Sequence, residues 1–247
     1  MEQYASEELL ACCIARLIGD AKHVAVGAAS PIPATGVFLR KLSSPGLRIS
    51  LLQKRKGNPF TEGSRELFDL AGQGRIDVFF LGGAQIDGEA NINLVRAEGK
   101  RFPGSFGSAF MYFAAGRTIL FREEHSRRVL VPKVEFISAP GWSPPGIERR
   151  GGPQALLTGK ALFSWQPGRR RFRLESVHPG HTLDEVVDST GFEFDRAPAI
   201  QSTPGPTAAE LALLRDEVAR QVAENYPEFA ARVWPARGGK NSAAAAE

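Results

Sequence analysis

Hydrophobic residues follow alternating helical and extended patterns over the N-terminal third of the chain. Between Ser6 and Ile18 they recur at helical spacing, with Ser6 as the expected N-cap and with Glu7 and Glu8 in the first turn, where carboxylates suit the helix dipole. Short apolar strands are predicted at residues 23–27, 47–52 and 75–81, and helices between them at residues 35–42 and 66–71. This β-α-β-α-β order predicts a parallel sheet with helices on both faces.

The pattern changes in the second half of the chain, where extended segments dominate. Strands are predicted at residues 118–121, 129–131 and 134–138, and an antiparallel pair at residues 155–165 and 171–176. Thr182 and Glu185 form the capping box of a short helix, and Thr207 caps a longer one after a Pro-Gly-Pro breaker. The predicted fold class is therefore α/β, an open, mostly parallel sheet flanked by helices, with some antiparallel strands in the C-terminal half.

The length of 247 residues and the lack of a clear linker predict one domain over residues 1–234, followed by a disordered tail over residues 235–247. Cys12 and Cys13 are adjacent in a helical pattern, so we expect buried thiols rather than a disulfide framework or a metal site. No apolar run approaches the ~20 residues of a membrane span, and the N-terminus lacks a signal pattern. We therefore expect a soluble, cytoplasmic protein that binds neither a membrane nor a metal.

The net charge of +4 raises the question of a polyanionic partner. Basic residues cluster at residues 54–56, 127–128, 149–150 and 169–171. These clusters lack interleaved aromatic residues and follow no helical stripe, so solvated turns explain them better than a nucleic-acid interface does. Binding of a phosphorylated small molecule stays open as a second explanation for some of them.

The most informative segment for chemistry follows the strand predicted at residues 75–81. Apolar residues run directly into Gly82-Gly83, and polar residues follow at Gln85, Asp87, Asn91 and Asn93. In α/β proteins the carboxyl ends of the strands are where ligands bind. Because this segment contains no nucleophile, no histidine and no metal-ligand spacing, it predicts a site at which backbone and amide groups hold a ligand.

A second glycine cluster is Gly104-Ser105-Phe106-Gly107. Its N–H groups would suit a phosphate or a thioester carbonyl, although an ordinary strand-to-helix turn has the same composition. His178 and His181 are three residues apart, a spacing that zinc tolerates, but no further ligand is near in sequence and a helix cap at Thr182 explains the segment better. The sequence has no Gly-x-Ser-x-Gly elbow, P-loop or complete dinucleotide fingerprint.

Five stretches are informative together, namely residues 82–87, 91–93, 102–107, 138–142 and 190–193. In this order they resemble the β subunits of class I coenzyme A transferases, most closely the glutaconate CoA-transferase β-type branch. The resemblance implies a three-layer α/β/α fold, an α-type partner subunit in an α2β2 heterotetramer, and coenzyme A or acyl-CoA as substrate without a permanent cofactor. It implies substrate-binding positions at Gly82, Gly83, Gln85, Asn91, Gly104, Ser105, Phe106 and Gly107.

The resemblance also reveals a departure at the end of the second predicted strand. Family transferases carry a glutamate there, which attacks the thioester, forms an acyl anhydride and then carries CoA as a glutamyl thioester. Here Leu52 or Gln53 occupies the position, and neither side chain can form an anhydride. Glu62 and Glu89 are the remaining carboxylate candidates, although solvated loop positions would explain both.

Three further departures fall in the glycine turns. Phe106 stands where the family usually has glycine, Phe110 follows in a region that is usually smaller and more polar, and Ala90 replaces the glycine of a Gly-Asn pair. The more apolar surface is compatible with a bulky substrate.

The resemblance implies CoA transfer between carboxylic acids, in bacterial catabolism, as the first functional hypothesis. A family branch in bacterial steroid-ring degradation suggests a second, hydrolysis of a ring in an acyl-CoA by a glutamate of the α subunit. A non-catalytic acyl-CoA-binding or structural subunit is the third.

Overall fold

The computed structural model describes residues 3–54, 56, 58, 60 and 62–235. Its contacts divide the chain into two compact units, one with the residues up to 61 and those from 205 onward, the other with residues 62–204. The tail predicted to be disordered lies outside the described residues except for Pro235, and the single-domain prediction for residues 1–234 stays a prediction. In the described part of the chain, no helix has the length and apolar character that a membrane crossing requires.

The helices of the described residues are α1 (Ser6–Ile18), α2 (Pro31–Ser43), α3 (Arg65–Gly72), α4 (Ser108–Ala114), α5 (Leu183–Ser189), α6 (Ala208–Leu213), a π-helical turn (Leu214–Val218), α7 (Ala219–Asn225) and α8 (Pro227–Val233). The strands are β1 (His23–Val26), β2 (Arg48–Leu51), β3 (Val78–Leu81), β4 (Gln85–Ile86), β5 (Ile92–Asn93), β6 (Arg96–Ala97), β7 (Lys100–Arg101), β8 (Arg117–Arg122), β9 (Pro153–Thr158), β10 (Ala161–Gln166), β11 (Arg171–Val177) and β12 (Asp195–Ser202).

The first unit combines the parallel pair β1–β2 with helices from both ends of the chain. Helices α1 and α2 pack closely at Gly36, where an added Cβ would lie 2.5 Å from Ile14 Cγ2. The Glu8 side chain of α1 is buried and accepts hydrogen bonds from Arg215 Nε at 2.8 Å and Trp234 Nε1 at 3.1 Å. These bonds attach the C-terminal helices of this unit to its first helix.

The second unit is built on a sheet in the order β12-β11-β10-β9-β8-β3. Strands β3, β8 and β9 run parallel, β9, β10 and β11 run antiparallel, and β12 lies parallel to β11. Together with the parallel pair of the first unit, this arrangement confirms the predicted class of a mostly parallel sheet with antiparallel strands in the C-terminal half.

Several boundaries differ from the sequence predictions. The expected N-cap Ser6 is the first residue of α1, and Ala5 is the N-cap. Helix α2 begins at Pro31 rather than at the predicted residue 35, because proline suits the first turn of a helix. Residues 129–131 and 134–138 form no strand, and residues 155–165 are divided between β9 and β10. The capping boxes at Thr182 and Thr207 are confirmed.

A chain of buried polar side chains crosses the core of the second unit. His125 hydrogen-bonds Thr158 Oγ1 at 2.7 Å and Thr190 Oγ1 at 2.9 Å. His178 hydrogen-bonds the Thr158 carbonyl at 2.9 Å and Thr203 Oγ1 at 2.8 Å. Burial lowers the pKa of each histidine to about 4, so both are neutral near pH 7. Both ring nitrogens of His178 are thus occupied within the protein.

Candidate functional site

The glycine turn after β3 continues into a short hairpin that is closed by one carboxylate. Strands β4 and β5 pair antiparallel, and the Asp87 side chain between them is only 3% exposed. Its Oδ1 accepts hydrogen bonds from the backbone N–H groups of Glu89 and Asn91 at 3.1 and 3.0 Å. Its Oδ2 accepts from the Asn91 side-chain amide at 3.2 Å and from Val134 N–H at 3.3 Å. One buried carboxylate therefore holds four donors.

The amides predicted to contact a ligand make hydrogen bonds inside the protein. The Gln85 side chain accepts from Asn93 Nδ2 at 2.8 Å and donates to Glu135 Oε1 at 2.9 Å. Asn91 Oδ1 accepts from Gly141 N–H at 3.1 Å, and both Gln85 and Asn91 are buried. These side chains fix the hairpin, and direct contact between them and a ligand stays a prediction.

Tyr112 and Arg149 support the hairpin and the segment beside it, and neither role was predicted from the sequence. Tyr112 is fully buried and its hydroxyl donates to the Ala90 carbonyl at 3.0 Å, while burial raises the pKa of the phenol. Arg149 donates to the Tyr112 carbonyl at 3.0 Å and to the Pro140 carbonyl at 2.7 Å. The sequence showed Arg149 only as part of a basic pair, which favoured a solvated turn; the structure half-buries it instead.

Two of the family-like stretches also contact the hairpin, namely Ser-Ala-Pro-Gly-Trp at residues 138–142 and Thr-Gly-Phe-Glu at residues 190–193. A Cβ added at Gly141 would lie 2.2 Å from the Glu89 carbonyl oxygen, so a side chain cannot be accommodated there. A Cβ added at Gly88 would lie 3.1 Å from Phe192 Cβ. Stretches that are far apart in the sequence therefore meet at one hairpin of the second unit.

Gly82 and Gly83 allow a close approach of backbone segments at the start of the hairpin. An added Cβ would lie 2.8 Å from the Phe121 carbonyl oxygen at Gly82 and 2.8 Å from Ile92 Cγ2 at Gly83. Among the described residues, neither glycine N–H donates a hydrogen bond to a backbone carbonyl. Gly82 is half-buried and Gly83 is buried, and contact between their N–H groups and a ligand stays a prediction.

The second glycine cluster connects β7 to α4 and bends sharply. Gly104 has φ +107° and Phe106 has φ +44°, so the loop uses backbone conformations that favour glycine. An added Cβ at Gly107 would lie 2.1 Å from Phe68 Cζ. The Ser105 carbonyl accepts from Ser108 N–H at 2.8 Å and so joins the loop to the start of α4.

Phe106 and Phe110 form an exposed aromatic cluster with Phe68 of α3. Their ring centroids lie 5.6 and 6.0 Å from that of Phe68. Phe106 is 83% exposed and Phe110 is 43% exposed. Such a concentration of exposed aromatic surface is typical of a place where another molecule binds.

The position expected for a family nucleophile lies in the first unit. Strand β2 ends at Leu51, and the chain then turns, with Leu52 N–H donating to the Val26 carbonyl at 3.0 Å. Leu52 and Gln53 are both half-buried in this turn. Whichever of these two residues corresponds to the family glutamate, its side chain is not a carboxylate.

The two alternative carboxylates lie at exposed positions. Glu62 forms an ion pair with Arg65 at 2.8 Å, and its side chain is 61% exposed. Glu89 is exposed at the tip of the hairpin, and its backbone N–H donates to Asp87. These surroundings are those of solvated loop residues.

Comparison with protein families gives a match to the model described as "Coenzyme A transferase", over residues 17–189. The chain is 29% identical to a subunit of the 3-oxoadipate CoA-transferase from Pseudomonas knackmussii, over 90% of this chain and 96% of the relative.

Two further relatives carry out other reactions on the same scaffold. The chain is 30% identical to the cholesterol ring-cleaving hydrolase IpdB subunit of Rhodococcus jostii, over 62% of this chain and 63% of the relative. Its structure is similar to a chain of the decarboxylase AibA/AibB, with a TM-score of 0.71 and 26% identity over 86% of this chain and 94% of that one.

Proposed function

Because the chain belongs to the coenzyme A transferase family, we propose that it is the β-type subunit of an enzyme that acts on acyl-CoA thioesters. The convergence of the family-like stretches on the β4–β5 hairpin carries the proposal. They meet at a hairpin where Gly82 and Gly83 offer backbone N–H groups. Donors of this kind polarise a thioester carbonyl and stabilise the oxyanion that forms when it is attacked.

The reactive group comes from an α-type partner subunit. Covalent CoA transfer requires a carboxylate that can form an acyl anhydride, and the end of β2 offers only Leu52 and Gln53. The exposed Glu62 and Glu89 lack surroundings that would activate them. The relatives named above include two-subunit enzymes, which supports an α2β2 assembly with the reaction divided between subunits.

Hydrolysis within a ring-bearing acyl-CoA is the second candidate reaction. The aromatic cluster of Phe68, Phe106 and Phe110 supports it, because exposed rings suit a bulky apolar acyl group. Similarity to the ring-cleaving hydrolase subunit of Rhodococcus jostii points in the same direction. Transfer of CoA to a second carboxylic acid is supported instead by the similarity to the 3-oxoadipate CoA-transferase subunit.

The test is co-expression of the chain with a candidate α-type subunit from the same genome, followed by a panel of acyl-CoA substrates. Short-chain, dicarboxylic and polycyclic acyl-CoA compounds are each scored separately for CoA transfer to an added carboxylic acid and for hydrolysis. Consumption of acyl-CoA in either assay supports the proposal. No consumption by an intact complex rejects it and favours a non-catalytic acyl-CoA-binding or structural subunit.

Trapping experiments decide which subunit carries the nucleophile. The complex is incubated with acyl-CoA, treated with borohydride and analysed by mass spectrometry. We expect no modified glutamate in this chain, whereas a modified Glu62 or Glu89 would contradict the proposal. The variants Glu62→Gln and Glu89→Gln serve as matched controls, and we expect both to keep full activity.

A further inference from the structure

A cavity of about 420 Å³ opens in the second unit beside the Thr-Gly-Phe-Glu stretch. Its lining is part cationic, with three arginines, and part apolar, with Val187, Phe192 and Phe194; the arginines are Arg127, Arg171 and Arg196. This volume lies within the range of about 300–1,000 Å³ that is typical of small-molecule sites. The sequence left binding of a phosphorylated small molecule open for some of the basic clusters, which include residues 127–128 and 169–171.

Two of the three arginines are not neutralised by acidic partners. Arg171 pairs with Glu193 at 3.2 Å and with Asp195 at 3.5 Å. Arg127 donates through Nε to the Asp188 backbone carbonyl at 2.6 Å, and within the described residues neither it nor Arg196 forms an ion pair with a carboxylate. The cavity therefore presents an excess of positive charge, which suits a phosphate, because guanidinium groups bind phosphate oxygens through paired N–H donors.

The apolar wall of the cavity is firmly held. The Phe192 ring packs on Phe172 with a centroid distance of 5.7 Å, and the Phe194 ring packs on Phe163 at 5.3 Å. The backbone next to Phe192 is also fixed, since Gly191 N–H donates to the Leu130 carbonyl, close to Arg127 in the sequence, at 2.7 Å. A rigid wall with aromatic and cationic groups suits a nucleotide, whose base has apolar faces and whose phosphates are charged.

We propose that this cavity binds the phosphate-bearing nucleotide end of the acyl-CoA substrate, an inference that rests on the proposed function. Phe192 lies against Gly88 of the hairpin, so the cavity adjoins the hairpin that presents the N–H groups of Gly82 and Gly83. The five Cα-to-Cα steps from Gly83 to Gly88 span at most about 18 Å of extended chain. Coenzyme A carries its thiol and its phosphates at opposite ends of a long spacer, so one molecule occupies both places.

Calorimetric titration of the co-expressed complex tests the inference with three probes: CoA, adenosine 3′,5′-bisphosphate and pantetheine. The variants are Arg127→Gln and Arg196→Gln, with Arg220→Gln, an exposed arginine of the first unit, as the matched control. We expect each cavity variant to weaken CoA and adenosine 3′,5′-bisphosphate by about tenfold, because a charge-assisted contact is lost. Binding of pantetheine, which has no phosphate, should not change, and the control should bind all three probes normally.

Three other outcomes separate the inference from the proposed function. Unchanged affinity for both phosphorylated probes in both cavity variants overturns the cavity as a phosphate site. Weakened binding of adenosine 3′,5′-bisphosphate with unchanged binding of CoA overturns the assignment to CoA and points to a separate phosphorylated ligand. Arginine-dependent binding of the bisphosphate by a complex that consumes no acyl-CoA supports the phosphate site while rejecting the proposed function.

Discussion

Replacing Asp87 by asparagine should loosen the hairpin that carries the candidate site. The carboxylate accepts from four donors and is 3% exposed, so water cannot replace the lost contacts without opening the turn. An asparagine keeps one oxygen and therefore two of the four contacts. The other two donors would face an NH₂ group, which is itself a donor.

The magnitude follows from the two lost contacts. A hydrogen bond to a charged acceptor contributes about 1.5–3 kcal/mol, and contacts of 3.0–3.3 Å belong at the lower end of that range. Two such losses lower the opening free energy of the hairpin by about 3 kcal/mol. Since about 1.4 kcal/mol corresponds to a factor of ten, the open state should become about 100-fold more populated.

Amide hydrogen exchange of the hairpin peptide measures this change directly, because exchange reports local opening rather than unfolding of the whole chain. We expect protection at Glu89 and Asn91 to fall by about 100-fold in the Asp87→Asn variant. The control is Glu89→Gln, which alters an exposed side chain of the same hairpin and leaves the contacts of Asp87 in place. A loss of protection below about threefold, or an equal loss in the control, would refute the role assigned to this carboxylate.

Three further outcomes are expected. Acid should destabilise the second unit, because burial lowers the pKa of His125 and His178 to about 4. The contribution of the neutral histidines to the free energy of unfolding is complete above pH ~6.5 and is lost as the pH falls toward 4. Unfolding titrations should show a loss of at most about 3 kcal/mol for each histidine. Arg215→Met should destabilise the first unit by about 2 kcal/mol in urea titrations, because the buried Glu8 carboxylate loses its ion pair. Phe106→Gly should leave the stability within about 1 kcal/mol of wild type, since relief of positive φ offsets the lost ring contact, while KM for ring-bearing acyl-CoA rises about tenfold.

Each of these three predictions has a control or a result that would contradict it. Stability of the second unit that does not change between pH 7 and 4 would contradict the neutral buried histidines. Arg220→Met, at an exposed ion pair of the first unit, is the matched control for Arg215→Met and should cost less than about 1 kcal/mol. An equal rise in KM for short and ring-bearing acyl-CoA after Phe106→Gly would mean that the ring does not select bulky acyl groups.

The parallel half of the fold could be predicted because its helices and strands follow local rules. Apolar residues recur at helical spacing between Ser6 and Ile18, where helix α1 forms. Outside this half, the caps at Thr182 and Thr207 were also predictable, because their hydrogen bonds lie within four residues of chain. The wrongly predicted strands at residues 129–131 and 134–138 had the same apolar composition as real strands. Leu130, within the first of them, and Ala139, next to the second, instead form isolated bridges to Ile86 and Ile92 of the hairpin, which are far away along the chain.

The position of the candidate site could be predicted from the sequence, but the hydrogen bonds that hold it together could not. The glycine stretches marked the place because close backbone contact requires a missing side chain, as at Gly83 and Gly141. Gln85 and Asn91 were notable in the sequence as polar residues, but in the folded protein their amides are occupied by hydrogen bonds within the chain. The support from Tyr112 could not be foreseen, since a single tyrosine in an apolar run carries no pattern.

The bonds that complete the hairpin join residues that are distant in the sequence. Gly141 donates to Asn91 across 50 positions, and the contact between Gly88 and Phe192 spans a still longer segment. Closing such long loops has an entropic cost that local structure does not repay, so the hairpin should become rigid late in folding. In a ribosome-bound chain that ends before residue 141, the candidate site would therefore be unfinished even after Gly82 and Gly83 have been synthesised.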